Sequence, residues 1–181
     1  MSQPWSALTL RANGHANIIT CEVQVGTPAV GTGAVKELPF KAVWDTGASA
    51  SVITAKVAAD LGLAPTGVTQ VNTANGARTS NVFLVDIGLP NGVRARNIQV
   101  TDGDITGANV LIGMDIIGAG DFSITNVNGM TVMSYRYPSM KEIDYVQEHQ
   151  RIQLLGSSTR KDRRAATLAD RRAGKKKGFR A

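Results

Sequence analysis

The stretch from Lys41 to Thr54 constrains this chain most: Lys-Ala-Val-Trp-Asp-Thr-Gly-Ala-Ser-Ala-Ser-Val-Ile-Thr. A short apolar run, Ala42-Val43-Trp44, reads as a buried strand and stops at Asp45-Thr46-Gly47. An Asp set directly after a buried run lies at the edge of a core, not on a solvated face. Gly47 lets the chain turn tightly, through dihedrals that other residues resist. Thr46 can hydrogen-bond backbone locally or across an interface. Apolar chain resumes at Val52-Ile53, so the carboxylate is expected on a loop gripped by core on both sides. Read alone, Asp-Thr-Gly also fits an Asx-type turn between two strands, because Asp and Gly dominate turns.

The surrounding chain reads as β structure. Strands are expected at Ala7–Arg11, Ile18–Val25 and Val35–Trp44, the last delivering Asp45. Thr54 is placed to cap a helix to Leu61, with Gly62 as its stop. Val68–Val71 and Thr79–Ile87 read as two strands, and Asn75-Gly76 between them is a hairpin-turn signal. Val93–Val100 follows a Pro-Asn-Gly turn. Asp102-Gly103-Asp104 reads as a solvated turn, since the further oxygen ligands of a calcium loop are missing. A second apolar stretch, Asn109-Val110-Leu111-Ile112-Gly113-Met114-Asp115-Ile116-Ile117, ends in a short helix. Asp121–Thr125 and Met130–Tyr135 make a closing hairpin around Asn128-Gly129. After Pro138, Ser139-Met140-Lys141-Glu142 reads as a capping box opening a helix that Gly156 stops.

The two apolar stretches together resemble the retropepsin-like aspartic proteases. That family pairs an apolar-apolar-Asp-Thr-Gly-Ala loop with a later apolar-apolar-Gly followed by a short helix. Here these are Val43-Trp44-Asp45-Thr46-Gly47-Ala48 and Leu111-Ile112-Gly113, and the resemblance runs from about Asn17 to Tyr137. It implies a mainly β, single-lobed acid-protease closed barrel with a short helix after Gly113, to which the capping box adds a C-terminal helical extension. Residues 1–137 would be the protease domain, 138–156 a C-terminal helix and 157–181 a basic, partly disordered tail. The implied activity is aspartic-type endopeptidase, with Asp45 catalytic. Thr46 would grip a partner's loop, Gly47 would turn its amide to the carboxylate, and Ala48 stands where the family has Ala or Ser. Asn75, Gly76 and Ala77 would belong to a flap over substrate, the alternative being an ordinary surface hairpin. Leu111, Ile112 and Gly113 would pack beneath the Asp loop.

Acid–base hydrolysis of a peptide needs one carboxylate to take a proton from water and one carboxylic acid to polarise the carbonyl. Two carboxyls at hydrogen-bonding distance resist double ionisation and share a proton, holding both roles. The Asp-Thr-Gly unit occurs once in this chain, so the second carboxyl must be Asp45 of a partner in a symmetric homodimer. Retroviral members have Arg directly after the second Gly, where this chain has Met114. The dimer therefore needs other support, and residues 130–155 are the place expected to give it. A non-catalytic dimeric module that binds peptide or assembles is the alternative function; the intact Asp45-Thr46-Gly47 favours the enzyme.

Composition narrows the remaining classes. The single Cys21 excludes an internal disulfide and suits a reducing compartment. No signal peptide and no membrane span is read, so a cytoplasmic location is expected. His15 and His149 lack neighbours at ligand spacing, and no nucleotide motif occurs, so no metal or cofactor is expected. The net charge of +6 is uneven: residues 151–181 carry eleven Lys/Arg against two Asp, and the rest is net acidic. Binding of nucleic acid or an acidic partner is therefore a question for the tail alone.

Overall fold

The computed structural model describes residues 5–28, 36–73, 76–157 and 167–168. The described chain runs β1 (Ser6–Arg11), β2 (Thr20–Gly26), β3 (Glu37–Trp44), β4 (Val52–Ile53), α1 (Ala55–Leu61), β5 (Gly67–Thr73) and β6 (Gly76–Gly88). It continues through β7 (Arg94–Asp102), β8 (Val110–Ile112), α2 (Met114–Ile117), β9 (Asp121–Thr125), β10 (Val132–Tyr137) and α3 (Tyr145–Ser157). The mainly β character expected from the sequence is thus observed, as are the short helix after Gly113 and a C-terminal helix.

The large sheet is ordered β2-β3-β8-β4-β7-β6-β5, and β2 pairs in addition with β6. The pairings therefore return on themselves through six strands, with β5 outside the ring as the partner of β6 alone. Strand β8 is inserted between β3 and β4, parallel to the first and antiparallel to the second. Alternation sets which side each strand buries: in β3, Phe40, Ala42 and Trp44 are buried while Val43 is only half-buried. The run Ala42-Val43-Trp44, read as a buried strand, is buried at Ala42 and Trp44 and only partly at Val43. Val23, Val25, Ile53, Val85, Ile87, Val100, Val110 and Ile112 lie in the same interior.

A second sheet, ordered β1-β10-β9, carries Tyr135 and Phe122 against the end of β3. The Trp44 ring stacks on Phe122 at 5.8 Å and meets Tyr135 at 5.3 Å, centroid to centroid. Tyr135 is buried, its hydroxyl donates to the Ile116 carbonyl at 2.9 Å, and burial pushes its pKa up to about 12. Trp44 Nε1 donates to Cys21 Sγ at 3.3 Å, and burial raises the pKa of that thiol. Each group at the root of the Asp45 loop is thus seated in a packed interior.

Three local expectations change. Thr54 occupies the N-cap position of α1, but its hydroxyl makes no capping bond; Gly62 is left-handed (φ 66°) and ends that helix as expected. Thr73 pairs with Gly76, so Gly76 is the paired first residue of β6, and Asn75 lies outside the described residues. The capping box at Ser139 is not formed. Ser139 Oγ donates instead to Asp121 at 2.6 Å, and α3 starts six residues later, with Asp144 accepting from the Val146 and Gln147 amides. That helix continues past Gly156 to Ser157.

The chain divides into two compact units, Met1–Lys141 and Glu142–Ala181. The first holds both sheets; α3 lies in the second. Of the basic segment expected at 157–181, only Ser157 and residues 167–168 are described. Among the described residues no helix is long and apolar enough to cross a membrane.

Candidate active site

Asp45 follows β3 directly, and its backbone amide donates to the Ile112 carbonyl of β8 at 3.0 Å. The parallel ladder that pairs Val43 with Leu111 and Trp44 with Ile112 leads to this bond. Apolar strand residues thus hold a half-buried carboxylate at the end of a core layer. The Asp45 side chain accepts from the Gly47 amide at 2.8 Å, and the Ala48 amide donates to the Asp45 carbonyl at 3.3 Å. The Asx-type turn and the loop that carries Asp45 are therefore one geometry here, since the same local bonds that make the turn hold the carboxylate.

Gly47 does not adopt a positive φ, which corrects the expectation that it supplies unusual dihedrals. What favours glycine is distance: a Cβ there would stand 3.1 Å from Asp45 Oδ1. Thr46 is exposed, and its hydroxyl has no hydrogen-bond partner among the described residues. That leaves it free to meet a group from outside the chain.

The far side of the loop is held by two residues the sequence reading did not single out for the site. Ser51, fully buried, accepts from the Gly113 amide at 3.1 Å and donates to Asp115 Oδ1 at 2.8 Å. Asp115 Oδ2 accepts from the Ser51 amide at 3.0 Å, and Oδ1 from the Ile116 amide at 3.0 Å. The Met114 amide donates to the Ala48 carbonyl at 2.8 Å. Gly113 is pressed against the loop so closely that a Cβ would lie 2.6 Å from the Ala50 carbonyl carbon and oxygen. An acidic residue in a first helical turn is a recognisable signal, and here it marks the residue that ties α2 to the Asp45 loop.

The structure therefore brings together Asp45, Thr46, Gly47, Ala48, Leu111, Ile112 and Gly113. The hairpin β5–β6 is placed differently. Gly76 and Ala77 line a cleft of ≈ 420 Å³ together with Val52 of β4 and Leu111 of β8. Asp45 does not line that cleft, and Asn75 lies outside the described residues. Among the described residues no group of three or more His, Cys, Asp or Glu is arranged to hold a metal ion.

Residues 31–119 match the family model described as "gag-polyprotein putative aspartyl protease". That span contains both the Asp45 loop and the Gly113 turn, so the family resemblance read from the two motifs holds across it. Among curated proteins none matches this chain. The crystal structure of a retropepsin-like aspartic protease from Rickettsia conorii is similar at 18% identity and a TM-score of 0.46, covering 74% of this chain and 96% of that one. The solution structure of the simian foamy virus (mac) protease is similar at 16% identity and a TM-score of 0.38, covering 55% of this chain and 92% of that one.

Proposed function

We propose that this chain, retropepsin-like across residues 31–119, is an aspartic endopeptidase that works as a homodimer. The observation that carries the reading is the Asp45 loop. One carboxylate stands at the end of a buried strand with the Gly47 amide on it, and both ends of its loop are fixed to β8 and α2.

In the dimer two Asp45 carboxyls, one from each subunit, share one proton. The ionised carboxylate takes a proton from water as the water oxygen bonds to the scissile carbonyl carbon. The protonated carboxyl gives its proton to the carbonyl oxygen, and a tetrahedral diol results. Collapse of the diol re-forms the carbonyl, breaks the C–N bond and passes a proton to the leaving nitrogen. Thr46, exposed and unpartnered within the described chain, suits a bond to the other subunit's loop. The hairpin β5–β6 would close over the peptide as a flap. The protease domain on this reading is residues 1–137, and the substrate is a polypeptide.

The test is hydrolysis of a mixed peptide library by purified protein and by Asp45→Asn. Cleavage should vanish in the variant while fold and dimer persist, because no second Asp-Thr-Gly can replace it. Cleavage by Asp45→Asn at the wild-type rate would remove Asp45 from the mechanism. Saturable peptide binding with no cleavage by either protein would establish the non-catalytic module instead.

A further inference from the structure

We propose that the cleft beside the β5–β6 hairpin takes a Lys or Arg side chain of the substrate, with Asp104 the residue that determines this preference. The inference rests on the peptidase reading and names its substrate class.

The cleft has two characters. Val52, Val71, Ile105 and Leu111 give it apolar walls, while Arg78, Asp102 and Asp104 bring charge. Two of these charges are committed to the protein. Arg78 donates through Nε to Ser80 Oγ at 2.9 Å and through Nη2 to the Asp102 carbonyl at 2.9 Å, and its Nη2 stands 3.4 Å from Asp102 Oδ1. Asp102 also accepts from the Asn81 amide at 2.9 Å and from Asn81 Nδ2 at 2.8 Å.

Asp104 differs. Its side chain is fully exposed, and Arg78 Nη1 stands 3.9 Å from it, beyond hydrogen-bonding reach. One positive and two negative side chains leave the lining net negative, with the surplus at Asp104. The turn that carries it is fixed to the cleft wall: the Gly103 amide donates to the Ile53 carbonyl at 2.9 Å, and a Cβ on Gly103 would lie 2.7 Å from Val52 Cγ1.

An exposed carboxylate beside apolar cleft walls suits a side chain with a methylene stem and a cationic head. Lys and Arg lay their stems along apolar surface and keep the charge in water. A Glu in the same place would meet the like charges of Asp102 and Asp104, with Arg78 already bonded to Ser80 and Asp102. Because the pair would be solvent-exposed, its effect is expected to be small and sensitive to salt.

The test combines two measurements. Wild-type protein, Asp104→Asn and Asp104→Lys are profiled on a peptide library in which each position is varied among Lys, Arg, Leu and Glu. Fluorescein-labelled Lys-containing and Glu-containing peptides are titrated against Asp45→Asn, with and without Asp104→Asn, at low and high salt. Expected is a preference for Lys or Arg of up to about fivefold at one position. It should disappear in Asp104→Asn, turn toward Glu in Asp104→Lys, and shrink with salt in the binding arm. Cleavage that ignores charge, or a profile unchanged by both variants, overturns the subsite and leaves the peptidase standing. Binding that depends on Asp104 without cleavage by the wild-type protein keeps the subsite and overturns the peptidase. Neither cleavage nor binding overturns both.

Discussion

A methyl group at Gly47 would stand 3.1 Å from Asp45 Oδ1, the oxygen that already accepts the Gly47 amide. The exposed loop has room to yield, so the strain falls on the carboxylate and not on the core. Gly47→Ala should therefore leave the stability within about 0.5 kcal/mol of wild type. Its kcat should fall, because Asp45 Oδ1 must give way by a few tenths of an ångström to admit the methyl group. Calorimetry and single-peptide kinetics on the same preparation check this, and a variant that melts early but turns over normally would contradict it. Asp45 was legible in the sequence because its motif is contiguous and sits between apolar runs. Ser51 and Asp115 were not, because the two lie far apart in sequence and neither residue type is distinctive alone. Only folding of β8 between β3 and β4 brings them together. Gly47 was legible as a glycine but misread in cause, since close approach and unusual dihedrals leave the same letter in a sequence.

At the scale of elements, the segment after β10 shows two local signals competing. Ser139 and Glu142 have the spacing of a capping box, yet Asp121 of β9 takes Ser139 as a partner. Asp121 also accepts from Arg136 Nε at 2.9 Å, forms a second contact with Arg136 Nη2, and receives the Met140 and Lys141 amides at 3.0 and 3.2 Å. Non-local acceptance by one carboxylate thus overrides the helix signal, which no short window could reveal. The hydroxyl of Ser139, then the guanidinium of Arg136, hold the Asp121 pKa well below the usual carboxylate range. Its folded value is depressed, so the network stabilises fully above the unfolded carboxylate value near 4 and loses its contribution as pH falls toward the depressed value. Thermal melts from neutral pH down to about 2 should show Asp121→Asn less stable than wild type at neutral pH. The gap should narrow in acid, and a gap independent of pH would mean that charge is not what Asp121 contributes.

For the whole molecule, the decisive pairing is β2 with β6, Gln24 to Gly26 against Gly88 to Asp86. It closes the strand ring, and it was invisible in the sequence because alternation reports a strand's faces but not its neighbours. The second sheet bears on assembly. Strand β10 has β1 on one side and β9 on the other, so it cannot also pair with a strand of another chain. Of the segment expected to support the dimer, residues 130–155, the strand portion thereby has its backbone pairing used within the chain and could meet a partner only through side chains. The proposed dimer remains a functional requirement: one Asp45 per chain predicts specific activity that falls on dilution below the dimer dissociation constant. Sedimentation alongside activity over a concentration series checks this, and a fully active monomer would defeat it.

Trp44, whose position was described as packing, also has an optical consequence. The chain has two tryptophans. Trp5 is 62% exposed, whereas Trp44 is 7% exposed and sits one peptide bond from Asp45. The two indoles should therefore emit at different wavelengths, the outer one red and open to acrylamide, the inner one blue and shielded. With Trp5→Phe, the remaining emission becomes a native gauge of the Asp45 loop's root. It needs no label, and it can be read while peptide is added.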